Sequence, residues 1–256
     1  MSWIPFRKQP KKPTSELVAD SEFDAQVEKF NSTEANTRKM YKDMKRYVEQ
    51  NAGLVKTHQK FGQDITASGG HIGGHGEDDE ALNKALEHVQ QVMNKQCDLQ
   101  IELNSNLRKL FNEPMKRFNT HFNTVNSAIK RREQSLQDYA KYLSRHEKYK
   151  QKENVAVSGK FDANERYLSL AKADFERRNT KLLDTLPQFY EHQLAYFEPC
   201  FEGVIRSHYM DVKNSRDLYE ELADKLDCPM EQWSKEQYEQ ETKSRLAEIK
   251  ALSIVK

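Results

Sequence analysis

The fold is decided by residues 77 to 158, which read EDDEALNKALEHVQQVMNKQCDLQIELNSNLRKLFNEPMKRFNTHFNTVNSAIKRREQSLQDYAKYLSRHEKYKQKENVAVS. This stretch contains no glycine and only one proline, Pro114. Since a helix rises about 1.5 Å per residue, roughly 80 such residues predict a single rod of about 110 to 120 Å, bent at the proline. A compact enzyme domain has no use for such a rod, so the stretch favours a scaffold or an extended binding surface.

Two further segments share the same helical pattern. Apolar residues recur at steps of three and four in residues 23–65, 82–143 and 168–226, as in helices packed against other helices. The segments are separated by breaks at 68–76, which holds five of the nine glycines, and at 154–159. Both connections are short enough to make neighbouring helices antiparallel. The sequence therefore predicts an all-α, elongated, antiparallel three-helix coiled-coil bundle.

Prolines predict that this bundle is kinked and curved. Pro114, Pro187 and Pro199 lie inside helical patterns, where each removes a backbone donor and bends its helix. A long bundle only three helices thick leaves part of each apolar stripe without cover. Two copies pairing along those stripes would cover it, which predicts an obligate two-fold homodimer.

Three regions are expected along the chain. Residues 1–13 form a basic and apolar N-terminal segment, residues 14–232 form the bundle domain, and residues 233–256 form a short C-terminal helical tail. The tail, which follows Pro229, has no assigned role, and packing back on the bundle is its simplest interpretation.

Composition favours a cytoplasmic protein with peripheral membrane contact at most. The 256 residues are 36% hydrophobic and 32% charged, with a formal net charge of +1. The three cysteines form no CxxC pair, the N-terminus lacks a signal-like apolar run, and no window approaches 18 consecutive apolar residues.

A cluster of cations between Lys130 and Lys152 is the first candidate site. It contains three acids, Glu133, Asp138 and Glu147. A rigid array of cations binds anionic lipid, each contributing about 1 kcal/mol, whereas the alternative is an ordinary solvated helix face. The basic residues of the cluster are Lys130, Arg131, Arg132, Lys141, Arg145, Lys148, Lys150 and Lys152.

The N-terminal segment is the second candidate, because it mixes large apolar residues with cations, as interfacial membrane anchors do. Pro5, Pro10 and Pro13 oppose a long amphipathic helix, so a tail that stays off the membrane or packs on the bundle is the alternative. The residues concerned are Trp3, Ile4, Phe6, Arg7, Lys8, Lys11 and Lys12.

Motifs of catalysis, metal binding and nucleotide binding are missing from the sequence. The glycine-rich stretch 69–76 matches neither GxGxxG nor a Walker loop, and His71 and His75 would share a metal only on a helix, which so many glycines oppose. No histidine has a glutamate three residues before it, and neither HExxH nor GxSxG occurs. The near-neutral pI of 7.7 disfavours nucleic acid. We therefore expect a protein that is not an enzyme and has no cofactor and no metal.

Two stretches resemble the amphiphysin-type BAR domain family. Residues 186–201, LPQFYEHQLAYFEPCF, are similar to the kinked third helix of that family, and residues 128–139, AIKRREQSLQDY, to its second helix. The resemblance implies a banana-shaped homodimer with a basic concave face that senses or imposes curvature on anionic membranes. It places Lys130, Arg131 and Arg132 on the concave side. Near the tip it places Lys148, Lys150, Lys152 and Lys160.

The resemblance also implies links to the actin cytoskeleton, endocytosis and cytokinesis, with actin regulators as partners. Two features differ from the amphiphysin pattern: the leader is short and interrupted by prolines, and we expect no SH3 module after the tail. A coiled-coil adaptor that binds small GTPases or actin regulators, without touching lipid, is the alternative function.

Overall fold

A computed structural model describes residues 21–72, 77–151, 158–226 and 234–252. All regular elements in these ranges are helices, which confirms the predicted all-α fold. They are α1 (Ser21–Ile72), α2 (Glu77–Leu107), a π-helical segment (Arg108–Asn112), α3 (Glu113–Lys150), α4 (Ser158–Lys225) and α5 (Lys235–Ala251).

The second predicted helix is continuous from α2 through the π-helical segment into α3. Pro114 lies at the start of α3, and it has no N–H to offer the preceding turn. The chain widens there to π geometry, while Asn112 keeps helical angles of φ −63° and ψ −46°. The interruption predicted at Pro114 is thus present as a local widening of one long helix.

The helix bounds differ from both predicted breaks. Helix α1 runs through Gly69 and Gly70 to Ile72, and α4 already begins at Ser158. A glycine in a helix costs about 1 kcal/mol, but a long helix gains one hydrogen bond for each residue it adds. The glycines therefore do not end α1 where they begin. The third long helix is confirmed as α4, which contains both Pro187 and Pro199.

The described helices divide into two compact units. Unit 1 combines the part of α1 up to Lys45 with Lys109–Glu202, and unit 2 combines Arg46–Arg108 with the chain from Gly203 onward.

Unit 1 has an aromatic core built from α1, α3 and α4. The Phe118 ring centroid lies 4.7 Å from that of Phe197 and 5.4 Å from that of Phe122. Phe122 in turn lies 5.7 Å from Phe30 of α1 and 5.9 Å from Phe189 of α4, mostly in edge-to-face arrangements. Aromatic pairs of this kind add about 0.5 to 1.5 kcal/mol beyond the area they bury, so the cluster joins all three helices.

Unit 2 has an aliphatic core with polar contacts between its helices. Asn51 of α1 donates from Nδ2 to Oδ1 of Asn104 of α2 at 3.0 Å, and Gln100 of α2 donates to Asp211 of α4 at 2.8 Å. These bonds satisfy polar groups between the helices. The buried apolar residues are Val48, Val55, Val92, Cys97, Leu103, Leu107 and Leu218.

Helix α5, in the predicted tail, is present but does not pack back. Ser234 and Gln237 form a capping box at its start, and none of its residues is buried. The predicted return of the tail to the bundle is therefore wrong for Lys235–Ala251.

Candidate membrane-binding surface

The cations predicted to bind lipid lie mainly on α3 of unit 1. Lys152 and the N-terminal candidates Trp3, Ile4, Phe6, Arg7, Lys8, Lys11 and Lys12 lie outside the described residues, so both predictions stay predictions. The exposed candidates are Lys130, Arg131, Lys141, Arg145, Lys148 and Lys150 on α3, and Lys160 in the first turn of α4.

Helical spacing places three of these lysines on one face. Lys130, Lys141 and Lys148 are separated by 11 and 7 residues, close to whole numbers of helical turns. Arg131 and Arg145 flank them. We call these five residues the α3 basic row. All five side chains are exposed cations on a helix packed into the unit 1 core.

Arg132 is a correction to the predicted site, because only 3% of its surface is exposed. Its guanidinium carbon lies 3.9 Å from the ring centroid of Phe23 and 4.8 Å from that of Phe175. The Nε donates to Asn179 at 2.7 Å, and the Nη1 pairs with Glu133 at 3.1 Å. Arg132 therefore joins α1, α3 and α4 inside unit 1 and cannot face a membrane.

A second set of cations, missed in the sequence, lies on α1 of unit 1. Arg38 reaches from α1 to Asn123 of α3 at 3.4 Å, and Asn126 of α3 donates to Glu34 of α1 at 2.8 Å. Lys42 and Lys45, four and seven residues after Arg38, are exposed on the same face. This set of cations could have been predicted from the sequence, because residues 38–45 hold four cations and one acid.

Ring stacking holds the end of α3 against the start of α4, where the last cations of the candidate site lie. Tyr142 stacks on Tyr167 with centroids 5.6 Å apart, and Tyr139 stacks on Phe175 at 6.0 Å. Asn164 of α4 also donates to the carbonyl oxygen of Tyr142 at 3.1 Å. This register holds Lys141 and Arg145 next to the Tyr142 ring, at 5.6 and 6.0 Å from its centroid.

Burial raises the pKa of the Cys97 and Cys200 thiols, which makes them poor nucleophiles at neutral pH. The described side chains, which do not include His71 and His75, contain no group of three or more potential metal ligands of the His, Cys, Asp and Glu types. Within the same ranges, no helix has the length and apolar character needed to span a bilayer.

Comparisons with known proteins agree with one another. Residues 12–249 match the family model described as the BAR domain. Bridging integrator 3 of Mus musculus is 33% identical over 257 residues, covering 100% of this chain and 99% of the relative. The Regulator of cytoskeleton and endocytosis RVS161 of Candida albicans is 19% identical over 215 residues, covering 80% of each chain. The solved structure of the amphiphysin BAR domain from Drosophila covers 87% of this chain and 100% of its own, with 17% identity and a TM-score of 0.63.

Proposed function

The chain belongs to the BAR domain family, and we propose that it is a non-enzymatic scaffold that binds anionic membranes and senses or generates their curvature. The α3 basic row carries this proposal. Three lysines at helical spacing and two flanking arginines, on a helix held by an aromatic core, form an array that adapts little and therefore selects surfaces that match it. BAR domains form curved helical dimers, which is the form such selection requires.

The lipid-binding role predicts a strong effect of removing charge from the row. We expect replacement of Lys130, Lys141 and Lys148 by glutamine to weaken binding to phosphatidylserine vesicles roughly one hundredfold, because each lysine near such a surface contributes about 1 kcal/mol. Co-sedimentation at low salt measures the effect. Binding of the parent protein should weaken as salt rises, since screening shortens the reach of exposed charges.

A matched control removes three exposed lysines elsewhere. Lys235, Lys243 and Lys250 of α5 are exposed, and their replacement by glutamine changes the net charge equally. We expect this variant to bind close to the parent level. If both triple variants lose the same affinity, net charge alone matters and the row is not the site. If the parent protein does not bind vesicles at all, the adaptor function without lipid contact is favoured.

Pairing of two copies is the second part of the proposal. Unit 2 exposes an apolar stripe on α4, in which Ile205, Tyr209 and Val212 are each about two-thirds exposed. On α1 of the same unit, Leu54 and Phe61 are exposed seven residues apart, and Tyr47 of α1 lies 5.7 Å from His208 of α4. A monomer rarely leaves such a surface in water. We propose that a second copy of the chain covers it.

Charge placed in this stripe should separate the copies. We expect the parent protein to have twice the 30.0 kDa mass of one chain by light scattering. The double variant Ile205→Glu, Tyr209→Glu should approach the mass of one chain, because two buried carboxylates in each copy would lack partners. Tyr167→Glu in unit 1, at a residue 56% exposed, is the control and should keep the parent mass. A double variant that keeps the parent mass would place the interface elsewhere.

The cellular setting is also proposed from kinship. The Candida albicans relative is named a regulator of cytoskeleton and endocytosis. This name supports a role in the cytoskeleton and in endocytosis. A link to actin, a role in cytokinesis, and a cytoplasmic location peripheral at membranes are proposed from the family resemblance alone. The N-terminal segment, residues 1–13, is proposed as an additional membrane contact, and actin regulators are proposed as partners.

A further inference from the structure

Two large apolar side chains stand exposed on α4 beside the cations of unit 1. Tyr167 is 56% exposed and Leu170 is 68% exposed. Three residues apart, they share one face of the helix. Neither is needed to close the core, which the nearby Phe175 and Leu168 already line as half-buried residues.

The ring stack fixes where Tyr167 lies. Its ring stacks on Tyr142 at 5.6 Å with an interplanar angle of 21°, and the Tyr142 ring is also approached by Lys141 and Arg145. Two members of the α3 basic row therefore lie next to the ring stack that contains the exposed Tyr167. The arrangement combines an amphipathic ring with two cations on rigid helices.

The charges four residues before and four residues after Leu170 also suit an anionic surface. Arg166 lies four residues before it and is exposed. Asp174 lies four residues after it and pairs with Arg177 at 2.5 Å and Arg178 at 2.7 Å. The hydrogen bond from Arg178, followed by that from Arg177, lowers the pKa of Asp174, so the carboxylate stays ionised and compensated by two guanidinium groups.

We propose that Tyr167 and Leu170 form an apolar contact that enters the boundary between headgroups and acyl chains of an anionic bilayer. The flanking cations bind the headgroups, while the two side chains bury apolar surface at the boundary of the acyl chains. This inference rests on the proposed membrane binding and adds a second kind of contact to it. Tyrosine rings favour the headgroup level, and leucine gains from entering the acyl boundary.

The two kinds of contact differ in their response to salt. The screening length falls from about 10 Å at 0.1 M salt to about 3 Å at 1 M, which weakens the attraction between the α3 basic row and the anionic membrane. Burial of apolar surface is not screened. The contact should therefore appear as the part of the vesicle affinity that survives at high salt.

The experiment compares the double variant Tyr167→Ser, Leu170→Ser with the parent chain on vesicles of phosphatidylserine and phosphatidylcholine. We expect the double variant to bind vesicles roughly tenfold more weakly at both about 0.1 M and about 1 M salt. Each side chain would bury about half of its apolar surface in the bilayer, and serine removes that burial. The vesicle affinity of the variant with Lys130, Lys141 and Lys148 replaced by glutamine should instead approach that of the parent as salt rises. The single variant Leu170→Ser, which leaves the ring stack in place, should lose about threefold.

Leu194 supplies a matched control on the same helix. It is 71% exposed, but glutamates lie three residues before it, at Glu191, and four residues after it, at Glu198. Leu194→Ser should leave vesicle affinity unchanged at both salts. Circular dichroism and light scattering on every variant establish that helix content and mass are kept. A mass change in the double variant would instead assign the two residues to contact between copies and overturn the proposal.

A fluorescence readout tests insertion directly. With the two natural tryptophans Trp3 and Trp233 replaced by phenylalanine, Leu170→Trp should shift its emission to the blue on vesicles and be quenched by brominated lipid. Leu194→Trp in the same background should do neither. If parent and lysine variants behave as proposed but the serine variants bind like the parent and the emission of the Leu170→Trp variant does not move, this inference alone fails. A parent chain that does not bind vesicles overturns the proposed function as well.

Discussion

Replacement of Phe122 by alanine is expected to lower the free energy of unfolding by about 3 to 5 kcal/mol, the largest effect of any single truncation in unit 1. Phe122 has no exposed surface, and its ring contacts those of Phe30, Phe118 and Phe189 on all three helices of the unit. Alanine removes the buried ring and leaves a cavity among aromatic neighbours that are themselves fixed by packing. Urea unfolding at one fixed protein concentration measures the change, because pairing makes stability depend on concentration.

Phe201 serves as the comparison for this prediction. It also belongs to the aromatic cluster, with its centroid 5.8 Å from that of Phe111, but it is 39% exposed. We expect Phe201→Ala to cost about 1 to 2 kcal/mol, since less area returns to water. Equal losses for the two variants would show that the cluster around Phe122 is not the centre of the core.

Replacement of Arg132 by leucine is expected to cost about 3 kcal/mol of stability without changing how vesicle binding depends on salt. The guanidinium fills the space between the Phe23 and Phe175 rings, and its removal takes a donor from Asn179 and an ion-pair partner from Glu133. The Glu133 carboxylate can still reach water, which limits the loss of stability. Because Phe23 lies in the first turn of α1, hydrogen exchange should accelerate there first.

Arg131 is the matched control, since it adjoins Arg132 in sequence but is exposed. Arg131→Leu should leave the unfolding free energy within about 0.5 kcal/mol of the parent and should lower the salt dependence of vesicle binding. The two arginines thus predict opposite patterns. The reverse pattern, with Arg132→Leu weakening vesicle binding at unchanged stability, would mean that the guanidinium faces the solvent.

The assignment of Arg132 shows what the sequence could and could not provide. A run of cations indicates that a helix surface is basic, but neighbouring residues in a helix point about 100° apart. Arg132 is three residues after Ile129 and four before Leu136, both of which belong to the apolar stripe of the sequence. The position of Arg132 on the apolar stripe could therefore be predicted from the sequence. Grouping residues 130–132 as one basic patch prevented that prediction.

The long helices themselves were predictable, because apolar spacing and the scarcity of glycine and proline are local signals. The same holds for the BAR resemblance, which the family match confirms over residues 12–249. The end of α1 was not predictable from its glycines, because each costs only about 1 kcal/mol while every residue added to an existing helix gains one hydrogen bond. The apolar stripe gave no means of separating residues that close the core, such as Leu218, from exposed ones such as Ile205.

Helix α5 draws no support from either core, since none of its residues is buried. Its conformation is maintained by the capping box at Ser234 and by ion pairs along its own length, such as Glu241 with Arg245 at 2.9 Å. Its coil-to-helix equilibrium is accordingly set by local sequence, and its melting adds almost nothing to the cooperative transition of the cores. A thermal scan of the whole chain would then register two independent processes, a gradual loss of ellipticity from α5 and a steep one from the rest.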